Sequence, residues 1–267
     1  MKLRSILLAS SIVGLALQPA FAHRFWIIPS TSVLSGDKPW VCFDAAISND
    51  LFFPNHVAPE VEDFTITGPD GSSVEKQNGC VGELRTTFDA QLEKPGTYQI
   101  ATLRSMLFAS WEEGGEEKRW RGSLDKIAEV ADKPDVQFMH SHSRVECFVT
   151  SGEPTTPKPS GKGLELIYDK THPNDLYAGE AATFILHKDG KPVGDVDVYV
   201  IKGDDRYRDD SGETKTTTAK DGSFTVEWPE AGRFWLYASI EGEGAKVEGK
   251  PAKDRSAYTA TFEVLPQ

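Results

Sequence analysis

From Ala182 onward the chain repeats one pattern: a run of five to seven β-favouring residues, then a turn built on glycine or proline. The runs are Ala182 to His187, Val196 to Ile201, Phe224 to Trp228, Phe234 to Ile240 and Tyr258 to Val264. Asp189-Gly190, Asp221-Gly222 and the stretch Pro229 to Gly232 supply turns between them. Val196, Val198 and Val200 alternate with polar neighbours, and Phe224 to Trp228 alternates in the same way. That period of two places apolar side chains on one face of a strand. Short strands at this spacing, with few helix caps, predict an all-β antiparallel sandwich. Glycine (23) and proline (16) are plentiful enough for the turns this needs.

The first half follows the pattern more loosely. Its strand candidates are Phe25 to Ile28, Trp40 to Phe43, Phe64 to Thr67, Tyr98 to Leu103 and Val136 to Val149, with turns at Pro69-Asp70-Gly71 and Pro95-Gly96. Trp111 to Val130 is charged and contains Gly114-Gly115. Leu124, Ile127 and Ala128 then fall at helical spacing, so a long excursion with one short helix is expected there. Ser151 to Gly163 holds three prolines and no large apolar residue, the composition of an exposed linker. The expected organisation is therefore two β-sandwich domains, 23–150 and 164–267, joined by 151–163.

The start of the chain reads as an address. Lys2 and Arg4 precede an apolar stretch from Ser5 to Leu17, and Ala20-Phe21-Ala22 forms a small-residue cleavage site. Residues 1–22 are expected to be a signal peptide that delivers the protein to a bacterial periplasm. No other stretch is long and apolar enough for a membrane span. The formal charge of −12 becomes −14 without Lys2 and Arg4, which argues against nucleic acid and anionic membranes as partners. Three cysteines, Cys42, Cys80 and Cys147, allow at most one internal disulfide in that compartment, and Cys42–Cys80 is the favoured pair.

Cleavage after Ala22 makes His23 the first residue of the mature chain. Its α-amino group and imidazole Nδ1 then chelate one metal ion together. The amine is easily deprotonated for this purpose, with an ordinary pKa of roughly 7.7–8.0. His140-Ser141-His142 places two imidazoles on one strand face, about 7 Å apart along the chain. His23, His140 and His142 thus form a candidate nitrogen-donor site for Ni(II), Co(II) or Cu(II). His56, after Phe52-Phe53-Pro54, is either a fourth ligand or a solvent-facing loop residue. His172 and His187 are expected to be structural. The acidic loop Gly203 to Glu213 lacks the ligand spacing of a calcium loop, and its Arg206 and Arg208 are expected to neutralise its carboxylates. Glu112, Glu113, Glu116 and Glu117 read as solvated surface. Hydrolase elbows, zincin helices, phosphate loops and dinucleotide fingerprints are absent, so no catalytic residues are assigned.

Ala22-His23-Arg24-Phe25-Trp26-Ile27-Ile28-Pro29 resembles the A-H-x-x-W-x-x-P opening of an exported bacterial family. The second half adds His172-Pro173-Asn174-Asp175, Arg206-Tyr207-Arg208 and Trp228-Pro229-Glu230-Ala231-Gly232. On these motifs the chain is similar to the NikM-like family, a domain of unknown function associated with periplasmic nickel or cobalt uptake. The resemblance implies a two-domain β protein whose second part is transthyretin-like or carboxypeptidase-regulatory-like, with His23 as the family's terminal histidine. It implies no metal role for the internal motifs. The function expected is transition-metal binding in support of a metal permease or TonB-type receptor. The alternatives are a non-metal interaction module for an outer-membrane receptor or transporter and, more remotely, a copper oxidase.

Overall fold

The computed structural model describes residues 23–267; the proposed signal peptide, residues 1–22, lies outside the described residues. In chain order the first half contributes β1 (Arg24–Pro29), β2 (Val33–Leu34), β3 (Trp40–Ser48), β4 (Phe64–Thr67), β5 (Ser73–Val74), β6 (Gln77–Val81), β7 (Thr86–Gln91), β8 (Gly96–Glu113), β9 (Glu116–Gly122) and β10 (Gln137–Ser151). The second half contributes β11 (Leu164–Ile167), β12 (Glu180–Lys188), β13 (Lys191–Pro192), β14 (Asp197–Lys202), β15 (Thr214–Thr217), β16 (Ser223–Trp228), β17 (Gly232–Val247) and β18 (Lys250–Val264). The chain is all-β, as the strand spacing predicts.

Three sheets stack. The first has the order β1-β3-β7-β6. The central sheet runs β15-β14-β17-β18-β10-β8-β4-β5, with β2 beside β10 and β9 beside β8. The third runs β11-β12-β13, with β16 beside β12. Strand alternation on β10 explains how one sheet serves two cores. Val145, Cys147 and Val149 point one way, into a core with Phe43 and Phe88 of the first sheet. Phe148 points the other way, into a core with Leu164, Phe184, Trp228 and Phe262.

The central sheet departs from the antiparallel expectation in two places, a short parallel contact of β2 with β10 (Thr150↔Val33, Ser151↔Leu34) and one long seam. β10 and β18 pair in parallel, from Phe138↔Ala252 to Cys147↔Thr261. Strands of both halves therefore share one continuous hydrogen-bonded sheet. Residues 152–163 between β10 and β11 form no strand and are mostly exposed. They are tied at several points: Thr97 N donates to Thr155 Oγ1 at 3.0 Å, and Gly161 N donates to Glu165 Oε1 at 2.7 Å.

The excursion after Trp111 is mostly strand. The end of β8 and β9 form a hairpin across Gly114 and Gly115, both at positive φ, and the helical spacing resolves into a 3-10 turn, Leu124–Glu129. Ile127, Val130 and Val136 cover Leu107, Ala109 and Phe138 there, making a third small core with Val247 and Ala252. The favoured disulfide does not form: all three cysteines are free. Cys42 on β3 faces Asp89 on β7, and Cys80 on β6 faces Thr87 on β7. Strand β7 lies between them and their partners on it are two residues apart, so their backbones stand more than about 9.5 Å apart, beyond disulfide reach.

Candidate functional site

The four histidines singled out by sequence form two pairs. His23, at the foot of β1, stacks on His56, with ring centroids 3.9 Å apart and planes at 15°. His140 and His142, on β10, have centroids 5.4 Å apart and planes at 50°. His142 Nε2 lies 3.3 Å from Asp254 Oδ1 on the neighbouring strand β18. Among the described residues, no group of three or more His, Cys, Asp or Glu side chains is arranged as it stands to hold a metal ion. No ring contact or ion pair between the two pairs is present among the described residues.

Long-range packing makes the first pair. Ile47 of β3 bridges Val57, which brings the loop 49–56 back over the start of β1. That loop is held by the second half of the chain. Leu51 N donates to Asp205 Oδ1 at 2.9 Å, and Arg24, next to His23, donates to the other oxygen of the same carboxylate. Arg206 stacks on Phe53 at 3.8 Å. The acidic loop is thus neutralised differently from the expectation. Arg24 reaches Asp205 from another strand, Arg206 serves an aromatic ring, and Arg208 Nη2 donates to the Lys202 carbonyl at 2.7 Å.

His142 of the second pair, two residues after His140 on the same strand, lines a cleft between the halves. Leu103, Leu164 and Ala257 give it apolar walls; His142, Lys162, Lys188, Asp189 and Asp254 give it polar ones. Its volume is about 360 Å³. Below it a buried polar network pins β10 to β18 and β11. Tyr258 Oη donates to Glu146 Oε1 at 2.6 Å and shares a hydrogen bond with Tyr168 Oη at 2.9 Å. Arg144 lies 3.6 Å from Glu146. Burial outweighs Arg144 and raises the Glu146 carboxyl above its usual range.

The remaining candidates have structural settings. His172 Nε2 is 2.8 Å from Thr97 Oγ1, and its Nδ1 accepts from Asn174 N at 3.2 Å. Burial lowers its pKa. His187 is half-buried on β12, across from Glu165 and Pro192. Glu116 and Glu117 pair with Lys118 and Arg119 on an exposed hairpin. Partial burial and the Asp89 carboxylate push the Cys42 thiol up to about 11, so it is no ready nucleophile. Asp254 escaped the sequence reading, and Asp205 was read only as part of the acidic loop. Asp254 lies far along the chain from His142, and Asp205 from Arg24 and Leu51, so only tertiary pairing could mark their contacts.

Fold and site together define an all-β protein of stacked sheets carrying two histidine pairs. The chain belongs to the family described as "Domain of unknown function (DUF4198)", whose model matches residues 20–242. No curated protein matches it. Among solved structures it is similar to the D0-D1 domain of intimin, at 11% identity over 90% of this chain and 97% of that one, with a TM-score of 0.21. A DUF4785 family protein from Legionella pneumophila matches at 10% identity over 80% of this chain and 50% of its own, with a TM-score of 0.23. The ICAM-5 D1-D4 ectodomain fragment matches at 12% identity over 91% and 51%, with a TM-score of 0.21. At such scores these likenesses carry no argument. Among the described residues, no helix is long and apolar enough to cross a membrane.

Proposed function

We propose that this protein is an exported transition-metal-binding protein, an accessory to nickel, cobalt or copper uptake. The observation that carries this reading is the stacking of His56 on His23 at 3.9 Å. With the chain trimmed after Ala22, the His23 amine and Nδ1 supply two donors, and His56 is the imidazole within reach to supply a third. Parallel rings do not aim their nitrogens at one point, so binding turns one ring out of the stack. Three nitrogens on an exposed tip suit Cu(II) or Ni(II) and leave positions open for handing the ion on. A membrane permease or TonB-type receptor is the recipient this chemistry calls for, and the NikM-like resemblance points the same way. The ion is cargo, and the reading assigns no catalytic step.

The test is titration of correctly trimmed protein with Ni(II), Co(II) and Cu(II), followed by calorimetry. One extra residue ahead of His23 removes the free amine from the chelate ring and should weaken tip binding roughly tenfold or more. Equal affinity for the same number of ions with and without that residue would overturn the reading.

A further inference from the structure

We propose that His140, His142 and Asp254 form a second divalent-metal site, separate from the chain tip, at the cleft between the two halves. The sheet register sets His140 directly beside Asp254, and the His142–Asp254 edge is already closed at 3.3 Å. Ring spacing supports the same conclusion. A metal–nitrogen bond is about 2.0–2.1 Å and the ring centre lies ~1.1 Å behind the nitrogen, so two imidazoles on one tetrahedral ion have centroids about 5.2 Å apart. His140 and His142 stand at 5.4 Å with planes tilted by 50°. The stacked tip pair, at 3.9 Å and 15°, is too close and too parallel for that arrangement.

The charges around the cleft leave Asp254 available. Lys188 sits 3.1 Å from Asp189, Arg144 lies 3.6 Å from Glu146, and the Arg104 guanidinium stacks over Phe25. Lys162 and Arg104 are the cations of the lining with no carboxylate in an ion pair among the described residues, and both oppose binding. Two imidazoles and one carboxylate form a mixed donor set for Ni(II), Co(II) or Zn(II), with a coordination position open to the cleft. Capture turns the His140 ring to the point that His142 and Asp254 already share. Both histidines are half-exposed on a paired strand, so the ion enters from solvent and the scaffold stays fixed.

The test uses the protein carrying both the extra residue ahead of His23 and His56→Ala, which removes two of the three tip donors. Calorimetric titration with Ni(II) should show one remaining equivalent. Replacing both histidines, His140→Ala with His142→Ala, should abolish it. Asp254→Asn should weaken it roughly tenfold or more. Thermal melting without metal checks that the variants fold, and the single His142→Gln variant replaces the double one if that does not. An extended protein that binds no Ni(II), or one whose affinity survives loss of both imidazoles, overturns the proposal. The tip reading fails separately, through equal binding with and without the extra residue.

Discussion

The two histidine pairs are held in opposite ways. His140 and His142 project from consecutive same-face positions of one strand, in the middle of a sheet locked by β8 and β18. His23 and His56 meet because a loop of the first half is anchored by Asp205 in the second. One pair is set by local strand geometry. The other is set by contacts spanning the chain, so a substitution remote in sequence should move one pair and spare the other.

The largest expected effect is at Asp205. Asp205→Ala leaves the Arg24 guanidinium buried without its carboxylate and frees Leu51 N, which should cost about 3–5 kcal/mol in urea unfolding. In NMR spectra the ring signals of His23 and His56 should shift while those of His140 and His142 stay put. Movement of all four would show that the pairs are mechanically coupled. Tyr258→Phe is the reverse case. It removes the hydroxyl that links Glu146 and Tyr168 under the seam and should cost about 1–3 kcal/mol. Here the β10 histidines should respond and the tip pair should not.

His172 provides a control that belongs to neither pair. Its Nδ1 accepts from Asn174 N, so protonation replaces an acceptor with a donor at that atom. Because burial lowers its pKa, its stabilising contribution is present above the unfolded value of 6.5 and lost as pH falls through the lower folded value. Denaturant midpoints measured from pH 7 downward should fall less steeply in His172→Gln than in the parent. An unchanged slope would remove His172 as the cause. The smallest effect is at His56, an exposed residue: His56→Ala should change stability by no more than about 0.5 kcal/mol while weakening Ni(II) binding at the tip.

What the sequence revealed follows from the range of the interactions. Alternation alone placed Val196, Val198 and Val200 on a buried face, and all three are at most 5% exposed. It also placed His140 and His142 together. It missed the hairpin half of the Trp111 excursion because those strands are charged on both faces and bury little. It underestimated β17 and β18, whose outer ends carry Glu241, Gly242, Glu243 and Gly244 on β17 and Lys253, Asp254 and Arg255 on β18 in place of an apolar run. Partners separated by many strands were beyond reach. The β10–β18 seam, the meeting of His56 with His23, Asp254 beside His142, and the intrusion of β7 between Cys42 and Cys80 all depend on how distant segments dock.

That seam also dictates the order of assembly. Ribosomes deliver β10 more than a hundred residues before the strand that completes it, and β18 is the last of the described strands. Until then the nascent chain carries an open, unsatisfied edge in the middle of its future sheet, the feature most prone to joining a neighbouring molecule. Trimming β18 should release soluble aggregates instead of a folded first half.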